Sequence, residues 1–172
     1  MNTTPANPAV SLRAMEPEDL ELLYQVENDL TLWDVGPTNV PYSRKLLREF
    51  IVNSTGDIYT DKQVRLMICA GGLTVGMADL INFDPTHLRA EVGIVVLAKH
   101  RRQGIAFKAL QQLAQYARHT LHLHQLYAYV DMENLPSIDL FKKAGFCHTC
   151  TLQDWLFNGE TYQDAAFLQF FL

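Results

Sequence analysis

The sequence predicts a single mixed α/β domain of the α+β type, in which a mixed, mostly antiparallel sheet of about seven strands is flanked by about four helices. Two observations predict it. With 172 residues, 48% of them apolar, the chain has the length of one domain and enough apolar side chains for a core. Apolar runs bounded by glycine, proline or asparagine turns alternate with segments of helical periodicity, and no linker, internal repeat or low-complexity segment interrupts them. We therefore expect one domain over residues 1–172, with residues 1–9 as a flexible N-terminal segment.

The first half of the chain opens with a strand and two helices. Residues 10–13 are predicted to form a short strand, and residues 15 to about 30 a helix with Pro17 in its first turn. Residues 33–41 contain one glycine and two prolines and are predicted as a loop, after which Ser43 caps a second helix. The sequence constrains this helical pair less than any other part.

Six further strands and two further helices complete the pattern. Apolar runs predict strands over residues 64–70, 73–83, 88–97, 125–130, 146–157 and 162–172. Helical periodicity predicts helices over residues 103–119 and 136–144. Turn signals separate consecutive strands at Gly71-Gly72, Asp84-Pro85 and Asn158-Gly159, so hairpins should dominate the sheet.

Charge and hydropathy exclude some classes of partner. The formal net charge of −5 argues against a nucleic-acid partner, because a phosphate backbone requires a basic face, and it mildly favours a cationic substrate. No basic segment followed by an apolar one opens the chain, and no run of about 18 apolar residues occurs. We therefore expect no membrane partner and a cytoplasmic location.

Neither the cysteines nor the histidines predict a redox or metal site. The three cysteines are an odd number and give no disulfide framework. Cys147 and Cys150 form a C-x-x-C pattern, but in a predicted strand they would lie on opposite faces about 10 Å apart, so we expect buried or half-buried thiols, with a redox pair as the minor alternative. Three histidines lie at a predicted helix end and its exit loop, where metal binding is again the minor alternative: His119, His122 and His124.

The most informative feature of the chain is an apolar strand that ends in a basic, glycine-containing turn and then opens a helix, at residues 92–106. A helix N-terminus leaves its first N–H groups unpaired and carries partial positive charge, and Gly104 and Ala106 let the backbone approach a ligand. Such a turn can hold a pyrophosphate. The three-glycine dinucleotide fingerprint and the P-loop string are both absent from the sequence. An ordinary strand-to-helix turn with a solvated basic loop is the remaining alternative.

The segment Arg101-Arg-Gln-Gly-Ile-Ala106 resembles the R/Q-x-x-G-x-G/A acetyl-coenzyme A motif of the GNAT family of N-acetyltransferases. Asn134-Leu-Pro-Ser137 and Leu140–Phe146 resemble the family's N-x-x-S/A helix and K-x-G-F ending, at the usual distance after the cofactor turn. The hairpin around residues 155–162 resembles the branch of spermidine and ribosomal-protein N-terminal acetyltransferases. The resemblance implies the GNAT fold and an acetyl-CoA-dependent N-acetyltransferase that works by direct attack of a primary amine, without a covalent intermediate.

The resemblance also implies which residues hold acetyl-CoA. The turn would bind the pyrophosphate, the end of the preceding strand would pair with the pantetheine arm, and a backbone N–H near Val95 or Val96 would face the thioester carbonyl. The later helix would reach the pantetheine arm and the nucleotide end. The implied set is Val95, Val96, Leu97, Arg101, Arg102, Gln103, Gly104, Ile105, Ala106, Asn134, Ser137, Phe141 and Lys142.

The reaction calls for a general base. An amine must be neutral to attack a thioester, and a lysine-like amine of pKa about 10.4 is only about 1 part in 2,500 deprotonated at pH 7, a deficit of about 4.6 kcal/mol. The resemblance implies a glutamate on the motif strand in this role, and Glu91 stands at that position. The alternative is that Glu91 is a surface carboxylate in an ion pair with Arg89.

The general acid that the resemblance implies is missing from the sequence. The resemblance implies a tyrosine that protonates the departing thiolate, but Phe141 stands at its position. A thiol of pKa about 8.5 is a tolerable leaving group without an acid. Otherwise another group would act as the acid. Tyr129 is the first candidate, Tyr127 and Tyr162 are further candidates, and the thiol of Cys147 is a more remote one.

The acceptor is constrained least. Acids of the first half could line an access path for a polyamine, or be the ordinary surface of an acidic protein: Glu27, Asp29, Asp34, Glu49, Asp57 and Asp61. We place a polyamine or other small amine slightly ahead of a protein N-terminus. Because Phe141 replaces the tyrosine, a CoA-binding module without turnover is an alternative, and an interaction protein that merely keeps the fold is a third. The sequence does not decide whether the chain forms a homo-oligomer.

Overall fold

The structure of the protein is a computed structural model that describes residues 9–29, 32 and 40–172. These residues form a seven-stranded sheet in the order β1-β2-β3-β4-β5-β7-β6. The strands are β1 (Val10–Ala14), β2 (Val64–Ala70), β3 (Leu73–Asp84), β4 (Arg89–Val96), β5 (Gln125–Asp131), β6 (Cys147–Phe157) and β7 (Tyr162–Phe171). Neighbouring strands are antiparallel, except that β4 and β5 are parallel. The predicted mixed, mostly antiparallel sheet is confirmed.

Some predictions lie outside the described residues. They concern the N-terminal segment up to residue 8, most of the loop over residues 33–41, and Asp34 as an acid on the access path. The first helix ends at Glu27, before the predicted end near residue 30.

The described part of the chain contains five α-helices, one more than the prediction. They are α1 (Leu20–Glu27), α2 (Arg44–Asn53), α3 (Ile58–Asp61), α4 (Ile105–His119) and α5 (Leu135–Lys143). The unpredicted helix α3 is a single turn, and Asp57 caps it by accepting the N–H groups of Tyr59 and Thr60. Ser43 caps α2 as predicted and accepts the Leu46 N–H at 3.2 Å.

Two helices begin later than predicted. The first begins at Leu20 rather than at residue 15, because Pro17–Asp19 forms a separate 3₁₀ turn that the Arg13 guanidinium holds through the buried Asp19 carboxylate, at 2.7 Å. Helix α4 begins at Ile105 rather than at residue 103. Its N-cap Gly104 has a left-handed φ of 71°, which ends the helical geometry there.

Helices cover both faces of the sheet. One face packs against α4 and α5 around a core that includes Leu110, Leu113 and Leu126. The other face carries Met67 and Met77, which pack against α1 and α2. Different helix pairs therefore cover the two faces, and the strands at the middle of the sheet pack against helices on both sides.

The sheet opens at its centre. The parallel pairing of β4 with β5 extends only from Arg89–Gln125 to Glu91–Tyr127. Beyond that point β4 continues along β3 to Val96, whereas β5 continues along β7 to Asp131. The two strands therefore separate, and within the described part of the chain the last residues of β4 have no strand partner on the side of β5.

The expectations for the C-x-x-C pair were wrong. Cys147 and Cys150 are both exposed, whereas the sequence predicted buried or half-buried thiols. They also share one face, because a bulge between His148 and Cys150 inserts an extra residue and the two cysteines pair with Gln169 and Phe167. All three cysteines are free thiols.

The histidines lie where the sequence placed them. His119 ends α4, and His122 and His124 lie in the loop before β5. The described residues contain no group of three or more histidine, cysteine or acidic side chains arranged to hold a metal ion. Among the same residues, no helix has the length and the apolar character needed to cross a membrane.

Candidate active site

A cleft of about 1190 Å³ opens where β4 and β5 separate. Its floor is formed by side chains of β3 and β4, among them Asp79, Glu91 and Val95. Residues of α1 and α2 form one wall, and residues of β5, α5 and β6, including Tyr129 and Trp155, form the other. The predicted catalytic candidates Glu91 and Tyr129 therefore line the same cleft.

The backbone of β4 presents polar groups to this opening. The Leu97 N–H donates to the Val75 carbonyl oxygen at 2.9 Å, so Leu97 faces β3. Backbone groups alternate between the two sides of a strand, which directs the N–H of Val96 toward the opening and that of Val95 toward β3. The sequence named Val95 or Val96, and the ladder favours Val96. Its carbonyl oxygen accepts from Arg101 Nε at 2.8 Å.

The basic turn after β4 has the geometry of an anion site. Arg102 and Gly104 both have positive φ, of 60° and 71°. The residues Arg101–Gly104 are exposed, and the helical hydrogen bonds begin with the Lys108 N–H donating to the Gly104 carbonyl at 3.2 Å. The N–H groups of the first turn of α4 therefore precede the helical ladder and face outward. Ile105 has a buried side chain, so only its backbone can reach a ligand.

The start of α5 forms the neighbouring edge of the cleft. Asn134 caps this helix by accepting the Ser137 N–H at 3.2 Å, and both residues line the cleft. Lys142 is exposed in the last turn. Phe141 is only 3% exposed, and its ring packs edge-on against Phe146 at 5.0 Å between centroids. It closes the cleft with an apolar surface and offers no proton.

Glu91 is half-buried and holds one specific contact. Its Oε2 accepts from Asn82 Nδ2 at 2.8 Å, and burial raises the pKa of its carboxyl group, an effect that this hydrogen bond partly offsets. Arg89 bonds to Asp84 instead, at 3.0 Å. The ion pair between Glu91 and Arg89, the alternative that the sequence left open, is therefore not formed.

The tyrosine candidates differ in position. Tyr129 stacks on Phe167, with centroids 5.2 Å apart, and lines the cleft. Tyr127 pairs across from Glu91, and burial together with that carboxylate raises its pKa to about 12. Burial and Glu91 raise the pKa of Tyr129 as well. Tyr162 is 64% exposed at the tip of the last hairpin and does not line the cleft.

Sequence reasoning missed an ion network on the floor of the cleft. Arg65 on β2 binds Asp79 through two hydrogen bonds of 2.9 and 2.8 Å, and it also donates to Glu27. Its side chain is 20% exposed, and the ring of Phe50 lies 5.6 Å away. A signal existed, because Arg65 and Asp79 are charged residues with apolar neighbours on both sides in their strands. Asn82 carried no such signal, since its role depends on the local backbone.

Residues 10–147 match the family described as acetyltransferase (GNAT) domain. The chain belongs to this family. The protein is therefore an N-acetyltransferase whose acetyl donor is acetyl-CoA, and the predicted family, fold, activity and donor are confirmed.

Two relatives match the GNAT protein over nearly its whole length. One is spermidine N(1)-acetyltransferase of Escherichia coli (strain K12), 26% identical over 161 residues, which are 94% of this chain and 85% of the relative. The other is a putative ribosomal N-acetyltransferase of Bacillus subtilis (strain 168), 26% identical over 172 residues, 97% of this chain and 93% of the relative.

Solved structures share the fold of this acetyltransferase. Spermidine N-acetyltransferase from Vibrio cholerae in complex with CoA and spermine gives a TM-score of 0.83 at 24% identity, over 94% of this chain and 95% of that chain. A dodecameric structure of spermidine N-acetyltransferase from the same organism gives 0.77 at 24% identity, over 94% and 93%.

The site of the acetyltransferase fits its donor. The unpaired side of β4 offers the Val96 N–H to an added strand-like chain, and the exposed turn before α4 offers N–H groups to phosphates. Phe141 stands where the resemblance implies the family's tyrosine. The role of each individual residue stays a prediction.

The cleft of the acetyltransferase is acidic. Its described lining contains six carboxylates and two basic groups: Glu27, Glu49, Asp61, Asp79, Glu91 and Asp131 against Lys62 and Arg65. Three of the predicted access-path acids are among them. Two are not, because Asp57 caps α3, and Asp29 lines a smaller neighbouring pocket of about 300 Å³.

Proposed function

We propose that this acetyltransferase acetylates a primary amine of a polyamine or a similar small polycation. The observation that carries the proposal is the excess of carboxylates lining the cleft. Two of them, Glu27 and Asp79, share the single positive charge of Arg65. A polycation of several amines gains from such a site at each charged nitrogen, whereas a neutral amine gains from none of them. The name of the Escherichia coli relative supports the same acceptor class.

The proposed donor site consists of the opening and the turn. Val95, Val96 and Leu97 flank the pantetheine arm, with the Val96 N–H facing the thioester carbonyl oxygen, where negative charge develops. The turn from Arg101 to Ala106 binds the pyrophosphate. Asn134 keeps an amide donor for the pantetheine arm, because its oxygen already caps α5, and Ser137, Phe141 and Lys142 lie along the same edge.

The proposed reaction is direct transfer. The amine nitrogen attacks the thioester carbon, the new C–N bond forms, the C–S bond breaks, and the thiol of CoA leaves. Glu91 takes the proton that the attacking amine loses, directly or through water. Burial raises its pKa, which makes its carboxylate a stronger base than that of an exposed glutamate.

The proposed acid is Tyr129. It lines the cleft, and its raised pKa keeps its hydroxyl protonated and available as a donor. Phe141 lines the same cleft with an apolar ring and supplies no proton. Since a thiolate leaves readily near neutral pH, we expect a smaller contribution from Tyr129 than from Glu91.

Thiol release with a panel of amines tests the function. The panel contains spermine, spermidine, a short monoamine, and a peptide with a free N-terminus. Turnover should be highest for the polyamines. Preference for the peptide would instead support the ribosomal-protein type of acceptor, and acetyl-CoA binding without turnover on any amine would overturn the proposed acceptor class.

Replacing Glu91 by glutamine should slow the reaction by about 100-fold at pH 7. The substitution keeps the shape and the contact with Asn82 but removes the base. The rate of the unchanged protein should fall as the pH drops through the raised pKa of Glu91, and the variant should lose this acidic limb. The difference in rate between the variant and the unchanged protein should shrink at high pH, because the amine is then already neutral.

A matched control uses the same substitution outside the cleft. Glu160→Gln changes an exposed carboxylate in the last hairpin and should keep the full rate. If Glu91→Gln kept both the rate and the pH profile, Glu91 would have a structural role only.

We also propose that the chain forms a homo-oligomer, as one of the Vibrio cholerae structures does. Its exposed apolar side chains support this, above all Trp155, Phe157 and Tyr162 on the last hairpin, which are 54–64% exposed. Sedimentation velocity gives the mass in solution, and a monomer at micromolar concentration would contradict the proposal.

A further inference from the structure

The strand pair β3–β4 contains a bulge beside the proposed base. The two strands pair regularly up to Ile81 and Glu91, and they pair again at Asp84 and Arg89. Two residues of β3, Asn82 and Phe83, therefore oppose one residue of β4.

The side chains of the two residues in the bulge point in different directions. Phe83 is buried in the core, and its N–H donates to the Lys62 carbonyl oxygen at 3.2 Å. Asn82 has a left-handed φ of 50° and is exposed toward the cleft, on the side of Glu91. In a regular strand Asn82 would face away from Glu91, because the neighbouring Ile81 already shares its face. The extra residue is what brings the amide to the carboxylate.

We propose that Asn82 is a positioning residue for Glu91, and this rests on the function proposed above. Its amide nitrogen holds Oε2 at 2.8 Å and so fixes the side chain, which leaves Oε1 to accept the proton of the attacking amine. A left-handed residue other than glycine is uncommon in a strand, and asparagine tolerates this conformation better than most residues. Asparagine thus supplies both the backbone conformation and the donor.

The other groups near Glu91 do not replace this contact. On the neighbouring strands, Asp79 is held by Arg65, and Asp84 is held by Arg89. Tyr127 and Tyr129 of β5 are the remaining titratable groups whose charge interacts with Glu91, and their pKa values are raised. Neither donates a hydrogen bond to it among the described contacts. The amide of Asn82 is therefore the neighbour that favours the ionised carboxylate.

Two variants test the role. Asn82→Gly keeps the left-handed backbone and removes the amide, and Asn82→Asp keeps the shape but places a second carboxylate against Glu91. Loss of the donated hydrogen bond should raise the pKa of Glu91 and move the acidic limb of kcat/KM up by about half a pH unit, and Asn82→Asp should move it by about one unit or more. We expect kcat at pH 7 to fall about tenfold, with the KM for acetyl-CoA unchanged.

A double variant distinguishes positioning from a structural effect. In the Glu91→Gln background, Asn82→Gly should have little further effect on kcat, because the group that it orients is gone. An equal loss in both backgrounds would overturn the proposal.

A second measurement does not depend on activity. The carboxyl carbon of Glu91 is titrated by NMR in the protein without substrate, with and without Asn82→Gly. An upward shift of the Glu91 pKa supports the contact, and an unchanged titration overturns it. If no amine is acetylated while the NMR shift is present, the proposed function fails and the contact between the two residues stands.

Discussion

Replacing Gly104 by aspartate is expected to abolish acetyl-CoA binding, lowering the affinity at least about 100-fold, while the protein stays folded. Gly104 is the N-cap of α4, at the point where the first N–H groups of the helix face outward. An aspartate side chain at an N-cap accepts those same N–H groups. It would therefore occupy the proposed phosphate position with a negative charge.

Stability should fall by about 1 kcal/mol in this variant. The left-handed φ of 71° costs a residue with a side chain about 1 kcal/mol, and an aspartate N-cap is better than a glycine N-cap by only about a few tenths of a kcal/mol. Titration calorimetry gives the affinity and thermal unfolding gives the stability. The matched control Gly104→Asn has nearly the same shape without the charge, so we expect it to retain more affinity than Gly104→Asp. Full affinity in a folded Gly104→Asp protein would show that the phosphates bind elsewhere.

The sequence predicted the parts of this site that depend on local chemistry. The basic turn, the small residues within it and the position of Glu91 on a strand follow from neighbouring residues. The structure places Glu91 in the cleft and the turn beyond the end of β4, where Arg101 lines the smaller pocket. Apolar periodicity likewise predicted all seven strands to within a residue or two. These features need no knowledge of how distant segments meet.

The parts that the sequence did not predict depend on register or on contacts between distant segments. A single inserted residue in β6 turned the two cysteines to the same face, and another in β3 brought Asn82 to Glu91. The network of Arg65 joins residues from α1, β2 and β3. A bulge leaves no clear pattern in a sequence. It shifts which side chains face each side of the sheet, but it does not demand a particular residue type at the inserted position.

Replacing Gly76 by alanine is expected to destabilise the protein by about 4 kcal/mol or more, or to displace β4. A Cβ atom on Gly76 would lie 2.1 Å from the Val95 carbonyl oxygen and 3.0 Å from the Val96 Cα. Both are backbone atoms, so no side-chain rotation relieves the clash. The strands β3 and β4 would have to move apart next to Val96, whose N–H is proposed to face the thioester of acetyl-CoA.

Gly93 provides the matched control, because it lies on β4 and pairs with β3 in the same ladder. A Cβ atom there would meet Asp79 Cβ at 3.6 Å, an ordinary van der Waals contact. Urea unfolding should therefore show a midpoint for Gly93→Ala close to that of the unchanged protein, and a much lower one for Gly76→Ala. If Gly76→Ala remains folded, the displaced β4 should still weaken acetyl-CoA binding, because the Val96 N–H moves with the strand. Equal stability and equal affinity in the two variants would mean that the close approach of β3 and β4 does not position the donor site.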